Sequence, residues 1–219
     1  MRGSSPNQSA RNRRPLNKKE SGTAALEFAL VAMPTVFMML GVVVVGINLQ
    51  QAIEVGEICR SADSMYVRGV DFSQTSAQNL LVQLGQSMNL QTGSSSNGLI
   101  ILSQVQLVPT PFGCTSSCTG SSYQLMQRLT IGNTSLTGTH FPSTVSPFTA
   151  CGGSTVTDCQ DSEGNIQGYA TYSGATISNF GSSLTLNTGQ ISYVAEAYFQ
   201  NTGNLNIWSS PGFYAVAFF

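Results

Sequence analysis

A histidine, a carboxylate and a serine are the residue types that could form a hydrolytic site in this chain. His140 is the sole histidine, Asp158 lies in the same Gly/Ser/Thr-rich region, and serines are abundant. The nucleophilic serine of many such enzymes lies in a G-x-S-x-G turn, and the sequence contains none. A glycine-rich phosphate-binding motif is also absent. The sequence therefore predicts a protein that has no catalytic activity and needs no cofactor.

The five cysteines fall into two groups with different chemistry. Cys59 lies just after a long apolar run, whereas Cys114, Cys118, Cys151 and Cys159 lie in polar stretches far downstream. Four cysteines in loops of an exported domain favour two disulfides, and their proximity in sequence favours Cys114–Cys118 with Cys151–Cys159, although three connectivities stay open. A zinc site is a poor match, because C-x3-C followed by a distant C-x7-C lacks paired ligands at zinc spacing.

The acidic residues near the last cysteines are predicted to be solvated. Asp158, Asp161 and Glu163 lie close together and loosely resemble part of a calcium-binding loop. The spacing of oxygen ligands in a recognised calcium loop is absent. We therefore expect no metal site.

A transmembrane helix near the amino terminus is the clearest element in the sequence. Phe28 to Ile47 is apolar except for Thr35 and two glycines, and a helix of about 20 residues crosses the hydrocarbon core of a bilayer. Basic residues that precede the helix place its amino terminus in the cytoplasm by the positive-inside rule; they are Arg2, Arg11, Arg13, Arg14, Lys18 and Lys19. A cleaved secretory signal is the alternative, but its apolar core is usually shorter and ends at a small-x-small site.

Glu27 lies at the start of this apolar run, where a charged residue is costly unless it has a partner or a function. A basic leader ends at Gly22, and Glu27 is the fifth residue after it. The pattern resembles the processing signal of type IV pilins, in which a prepilin peptidase cuts after the glycine. Cleavage between Gly22 and Thr23 would remove the leader charges and leave one ammonium group to neutralise Glu27 during assembly. Simple solvation of Glu27 at the membrane surface is the alternative.

A narrower resemblance connects the chain to the TadE-like family of pilus-assembly proteins, which are similar to minor pseudopilins of tight-adherence pilus systems. The resemblance extends from Gly22 to Pro34 and again from Ile58 to Val70, within a span, Gly22 to Val70, that is about a quarter of the chain. Many pilins begin with phenylalanine after processing, whereas this chain would begin with Thr23. The resemblance implies a role in building a filament, with a prepilin peptidase and other pilin-like subunits as partners.

The predicted fold class is α+β, with a leader at 1–22, a transmembrane helix and stem at 23–70 and an exported domain at 71–219. Helical spacing of apolar residues continues the first helix past the membrane, and a second helix is predicted over Ser76 to Asn89. The segments rich in aliphatic and aromatic residues predict an antiparallel sheet of four strands: Leu99 to Val108, Tyr123 to Ile131, Gln190 to Phe199 and Phe213 to Phe219. The region between Gly132 and Gly189 is expected to form a long loop with short strands.

Charge excludes nucleic acid as a partner of the exported region. Nine of the ten acidic residues and only three of the nine basic residues follow Gly22, so that part of the chain has a net side-chain charge of −6. The sequence indicates no small-molecule substrate. We therefore expect a single-pass protein of the bacterial inner membrane that takes part in pilus assembly or a related secretion apparatus. An unprocessed, membrane-anchored binding or adhesive domain is the alternative.

Overall fold

A computed structural model of the protein describes residues 20–110, 112–113, 115–116, 118–136, 160–170, 175–177, 180, 184–201 and 212–219. It divides the chain into two compact units, Met1–Gly46 and Ile47–Phe219. Within the described residues, the protein has one long helix, one short helix and an antiparallel sheet. The α+β fold class predicted from the sequence is confirmed.

The long helix α1 extends over Glu20–Val67 and contains 48 residues. It continues through Pro34, which lacks a backbone N–H and removes one helical hydrogen bond. The neighbouring Thr35 hydroxyl donates to the carbonyl oxygens of Val31 and Ala32, at 3.1 and 2.9 Å. The predicted continuation of the helix beyond the apolar run is confirmed, because α1 ends twenty residues after Ile47.

Five strands form one sheet in the order β3-β2-β1-β4-β5. Their bounds are β1 Gly98–Thr110, β2 Gly120–Gly132, β3 Thr176–Ile177, β4 Ile191–Gln200 and β5 Gly212–Phe218. Every pairing is antiparallel, and the register between β1 and β2 shifts after Gln104. All four predicted strands are therefore confirmed, and β3 is one of the short strands expected in the long loop.

The register places alternate strand residues on two different faces of the sheet. Ile100 pairs with Ile131 on β2 and Ala197 on β4, and these three residues face the core that includes α1 and the second helix, α2, over Thr75–Leu84. Their neighbours Leu99 and Ile101 belong to a separate cluster on the opposite face. Both faces of the central strand β1 are therefore buried, which explains its nearly continuous run of aliphatic residues.

The second helix is shorter than the sequence predicts. Helix α2 ends at Leu84, and a single 3₁₀ turn follows over Gln86–Met88. A Cβ atom on Gly85 would lie 2.7 Å from the Cβ of Leu90, so only glycine allows the chain to turn this tightly. Asn89 then adopts a positive φ of 55°, which a helix cannot accommodate.

Candidate functional site

The predicted processing site lies in the first turns of α1. This helix begins at Glu20, so Gly22 and Thr23 both have helical backbone conformation, and Thr23 is exposed. The basic leader before Glu20 lies outside the described residues.

The amino-terminal part of α1 exposes apolar side chains in every direction. We call Leu26–Leu49 the exposed segment; among its large exposed residues are Leu26, Phe28, Leu30, Met33, Phe37, Met38, Met39, Val42, Val45 and Leu49. A helix that is apolar all round is stable only inside a membrane or among other helices. Helix residues Thr23–Val67 include a stretch long and apolar enough to cross a membrane.

Glu27 is the single charged residue in the exposed segment, and its side chain is exposed. Among the residues that the structure describes, none forms a hydrogen bond or an ion pair with its carboxylate. The group is therefore accessible to a cationic partner that approaches the start of α1.

The carboxyl-terminal part of α1 packs against the sheet. We call Val55–Tyr66 the packed segment; its buried apolar residues are Val55, Ile58, Cys59, Ala62 and Tyr66. The thiol of Cys59 is free and buried, and it donates to the carbonyl oxygen of Ala195 at 3.1 Å. Burial is the main reason that the pKa of Cys59 rises to about 12. The structure therefore shows a buried thiol at this position, which does not favour pairing between subunits through Cys59.

Asp63 is the most unusual group in the packed segment. This segment lies outside the predicted membrane-crossing residues Phe28–Ile47. Its side chain has no exposed surface, and within the described part of the chain neither carboxylate oxygen has a hydrogen-bond partner. Burial raises the pKa of Asp63 to about 7, because removing the charged form from water is unfavourable. The sequence pattern does not single out Asp63, although its position four residues after Cys59 places it on the same side of the helix.

Two charged residues are buried on the opposite face of the sheet. Arg128 on β2 and Glu196 on β4 lie on either side of β1, and each attracts the other. The Tyr214 hydroxyl donates to the Glu196 carboxylate at 2.8 Å. Burial lowers the pKa of Arg128, and the charge of Glu196 opposes that shift. Because residues alternate between the two faces along β2 and β4, the sequence could have assigned Arg128 and Glu196 to one face of the sheet. It does not reveal that other residues cover this face.

Asp161 and Glu163, two of the three acidic residues near the last cysteines, lie in one turn. The Asp161 carboxylate accepts the backbone N–H groups of Glu163 and Asn165 at 3.0 and 2.8 Å, and the Asn165 side chain donates to it as well. These hydrogen bonds, with that of the Asn165 side chain largest, hold the pKa of Asp161 below its usual value. The described residues contain no group of three or more potential metal ligands.

The remaining predicted site residues fall mostly outside the described part of the chain. Cys118 forms a disulfide bond. Cys114, Cys151 and Cys159 lie outside the described residues, so the pairing of the downstream cysteines stays a prediction. His140 and Asp158 also lie outside them.

Comparison of the chain with protein-family models, curated proteins and solved structures finds no match.

Proposed function

We propose that this protein is a pilin-like membrane subunit that takes part in building a surface filament or a related secretion apparatus. The observation that supports the proposal best is the exposed segment of α1, a helix surface apolar on all sides with Glu27 near its start. The resemblance of Gly22–Pro34 and Ile58–Val70 to TadE-like proteins supports the same function.

In this proposal the exposed segment lies in the bacterial inner membrane before assembly and then packs against equivalent helices. Both environments satisfy its apolar surface. The amino terminus is cytoplasmic because the leader is basic, and the domain that follows is exported. The protein has no catalytic activity of its own.

Glu27 has a specific electrostatic role in the assembled state. Cleavage after Gly22 creates an ammonium group on Thr23, four residues before the carboxylate of Glu27. Removing a carboxylate from water is unfavourable unless an opposite charge accompanies it. The ammonium group of the same or a neighbouring subunit therefore allows Glu27 to enter the helix bundle. An unprocessed chain would have no such partner, and its basic leader would remain in the cytoplasm.

Processing is tested by mass spectrometry of the protein purified from its native host. The proposal expects an amino terminus at Thr23, and substitution Gly22→Leu should prevent cleavage. A chain that keeps Met1 in cells with assembled filaments would refute the processing step and leave an anchored binding or adhesive domain as the better description.

The role of Glu27 is tested by copurification with neighbouring subunits after crosslinking in cells. Glu27→Gln retains the size of the side chain and removes its charge, so the proposal expects about a tenfold loss of crosslinked product, equivalent to one charge-assisted contact. Glu57→Gln is the matched control, because Glu57 is an exposed acid on the same helix beyond the apolar run. Equal yields from the two variants would contradict the proposal.

A further inference from the structure

A cleft of about 310 Å³ lies at the carboxyl end of α1, within the unit Ile47–Phe219. The sheet face contributes Gln104, Gln127 and Tyr193, and Tyr66 on α1 and Asp71 just after it form one wall. Glu163, which lies in the same turn as Asp161, forms part of the other wall. The volume is at the lower end of ligand pockets, so the cleft fits a side chain or small fragment better than a large molecule.

Hydrogen bonds hold the walls of this cleft in place without a ligand. The Tyr66 hydroxyl donates to the side-chain oxygen of Gln127 at 2.6 Å, and the Gln127 amide donates to the backbone oxygen of Glu163 at 2.7 Å. The rings of Tyr66 and Tyr193 meet edge to face, with centroids 5.3 Å apart. One continuous network therefore joins α1, β2, β4 and the turn around Glu163, and the cleft is preorganised.

The electrostatics of the cleft favour a positively charged occupant. Asp71 and Glu163 are both exposed at its edge, and no basic side chain lines the cleft among the residues that the structure describes. Hydrogen bonds from the Ser73 side chain and backbone hold the pKa of Asp71 below its usual value, so this carboxylate stays ionised.

We propose that this cleft binds the guanidinium group of an arginine side chain from a partner polypeptide. A guanidinium group is planar, stacks on aromatic rings and donates five hydrogen bonds, which matches a cleft that combines tyrosines, amide oxygens and carboxylates. The inference concerns the domain alone, and it holds whether or not the leader is cleaved or the protein enters a filament.

Two other occupants fit less well. A lysine ammonium group would satisfy the carboxylates, but it is more strongly hydrated and cannot form a planar stack on Tyr193. A neutral sugar could stack on tyrosine and donate hydroxyl hydrogen bonds to the amide oxygens and carboxylates, but it has no positive charge to offset the charges of the two carboxylates.

The test uses the full chain in detergent micelles and nuclear magnetic resonance titration with capped Gly-Arg-Gly. The matched ligands are the same tripeptide with lysine or with citrulline, an uncharged isostere of arginine, and the neutral disaccharide maltose. We expect the arginine peptide to shift the resonances of Tyr193 and the Gln127 side-chain amide and to bind at least about tenfold more tightly than the citrulline peptide. Lysine should bind a few-fold more weakly than arginine.

Variants of the cleft separate specific binding from general attraction to an acidic protein. Glu163→Gln and Asp71→Asn should each weaken arginine binding about fivefold, because both carboxylates are exposed, and the double variant should weaken it more than tenfold. Glu57→Gln removes the same charge at an exposed position of α1 outside the cleft, so it should leave affinity unchanged.

Several results would overturn the proposal. They are equal binding of arginine and citrulline peptides, equal or tighter binding of lysine, preferential binding of maltose, and equal effects of Glu163→Gln and Glu57→Gln. A dissociation constant weaker than about 10 mM for the arginine peptide would also overturn it, because a preformed site with two carboxylates should exceed that affinity.

Discussion

The exposed and packed segments of α1 belong to one helix and yet have opposite environments. Ile53, between the two segments, is 55% exposed, whereas Ile58, five residues later, is 4% exposed. In the exposed segment apolar residues occur on every side, but in the packed segment they alternate with exposed charges such as Glu57 and Arg60. The comparison shows that the arrangement of apolar residues around the helix, rather than their number, determines which part joins the domain core.

Each environment also contains one unusual carboxylate. Glu27 is exposed near the start of the exposed segment, and Asp63 is fully buried in the packed segment. An exposed carboxylate can recruit a partner, but a buried carboxylate without a hydrogen-bond partner destabilises the fold when it is ionised. The stability of the packed segment should therefore depend on pH through Asp63, which gives the largest effect that we expect.

Asp63→Asn should change how the stability of the domain depends on pH. In the folded state the Asp63 pKa is about 7, above the value of 3.8 expected for the unfolded chain. Well below pH 3.8 the group is protonated in both states, and stability is lost as pH rises toward 7 because the unfolded chain ionises first. When the pH rises from 4 to 8, the free energy of unfolding of the wild type should fall by about 4 kcal/mol relative to that of the variant.

Denaturant unfolding of the full chain in micelles, followed by circular dichroism at several pH values, measures this difference. Glu57→Gln is a suitable control, because Glu57 is exposed on the same helix. Parallel pH profiles for wild type and Asp63→Asn would show that Asp63 is ionised or hydrated in the folded protein.

Truncating one isoleucine in each environment tests the comparison directly. Ile58→Ala removes a buried side chain from the main core and should lower the free energy of unfolding by about 3 kcal/mol. Ile53→Ala makes the same chemical change at an exposed position and should shift it by less than about 0.5 kcal/mol. Similar losses from both substitutions, measured by denaturant unfolding in micelles, would show that Ile53 also packs against the domain.

Cys59 gives a chemical measure of how firmly the packed segment is held. Its thiol is buried and has a raised pKa, so alkylation at pH 8 should be at least about a hundredfold slower in the folded protein than in denaturant. Peptide mapping by mass spectrometry measures the rate at this cysteine alone. A cysteine introduced by Ile53→Cys should react rapidly under the same conditions. Fast modification of Cys59 would mean that the helix leaves the sheet frequently.

The sequence predicts the elements of this fold well because their patterns are local. Leu99 to Val108 and Gln190 to Phe199 are rich in β-branched and aliphatic residues, and both became strands within two residues of the predicted ends. Helix α2 ended early at Leu84, since the close approach of Gly85 to Leu90 is a tertiary contact that helical periodicity cannot show.

The candidate sites are harder to predict, because they depend on what covers each surface. Asp63 looks like an ordinary helical acid in the sequence, and only the packing of α1 on β4 and β5 makes it buried. The cleft brings together Tyr66, Gln127 and Glu163, which are far apart in the chain and share no motif. The roles of Gly22 and Glu27 stay predictions, which the sequence can make because they depend on a spacing along one segment.

The smallest effect that we expect comes from a glycine in the exposed segment. A Cβ added at Gly41 meets no atom within 4 Å, so Gly41→Ala should change the free energy of unfolding of the domain by less than about 0.5 kcal/mol. Small residues in membrane helices often allow close approach of a neighbouring helix. Gly41→Leu should therefore leave the purified protein equally stable and reduce crosslinking between subunits in cells, whereas Val42→Leu should reduce neither. Loss of stability in the purified protein would show instead that Gly41 packs against its own chain.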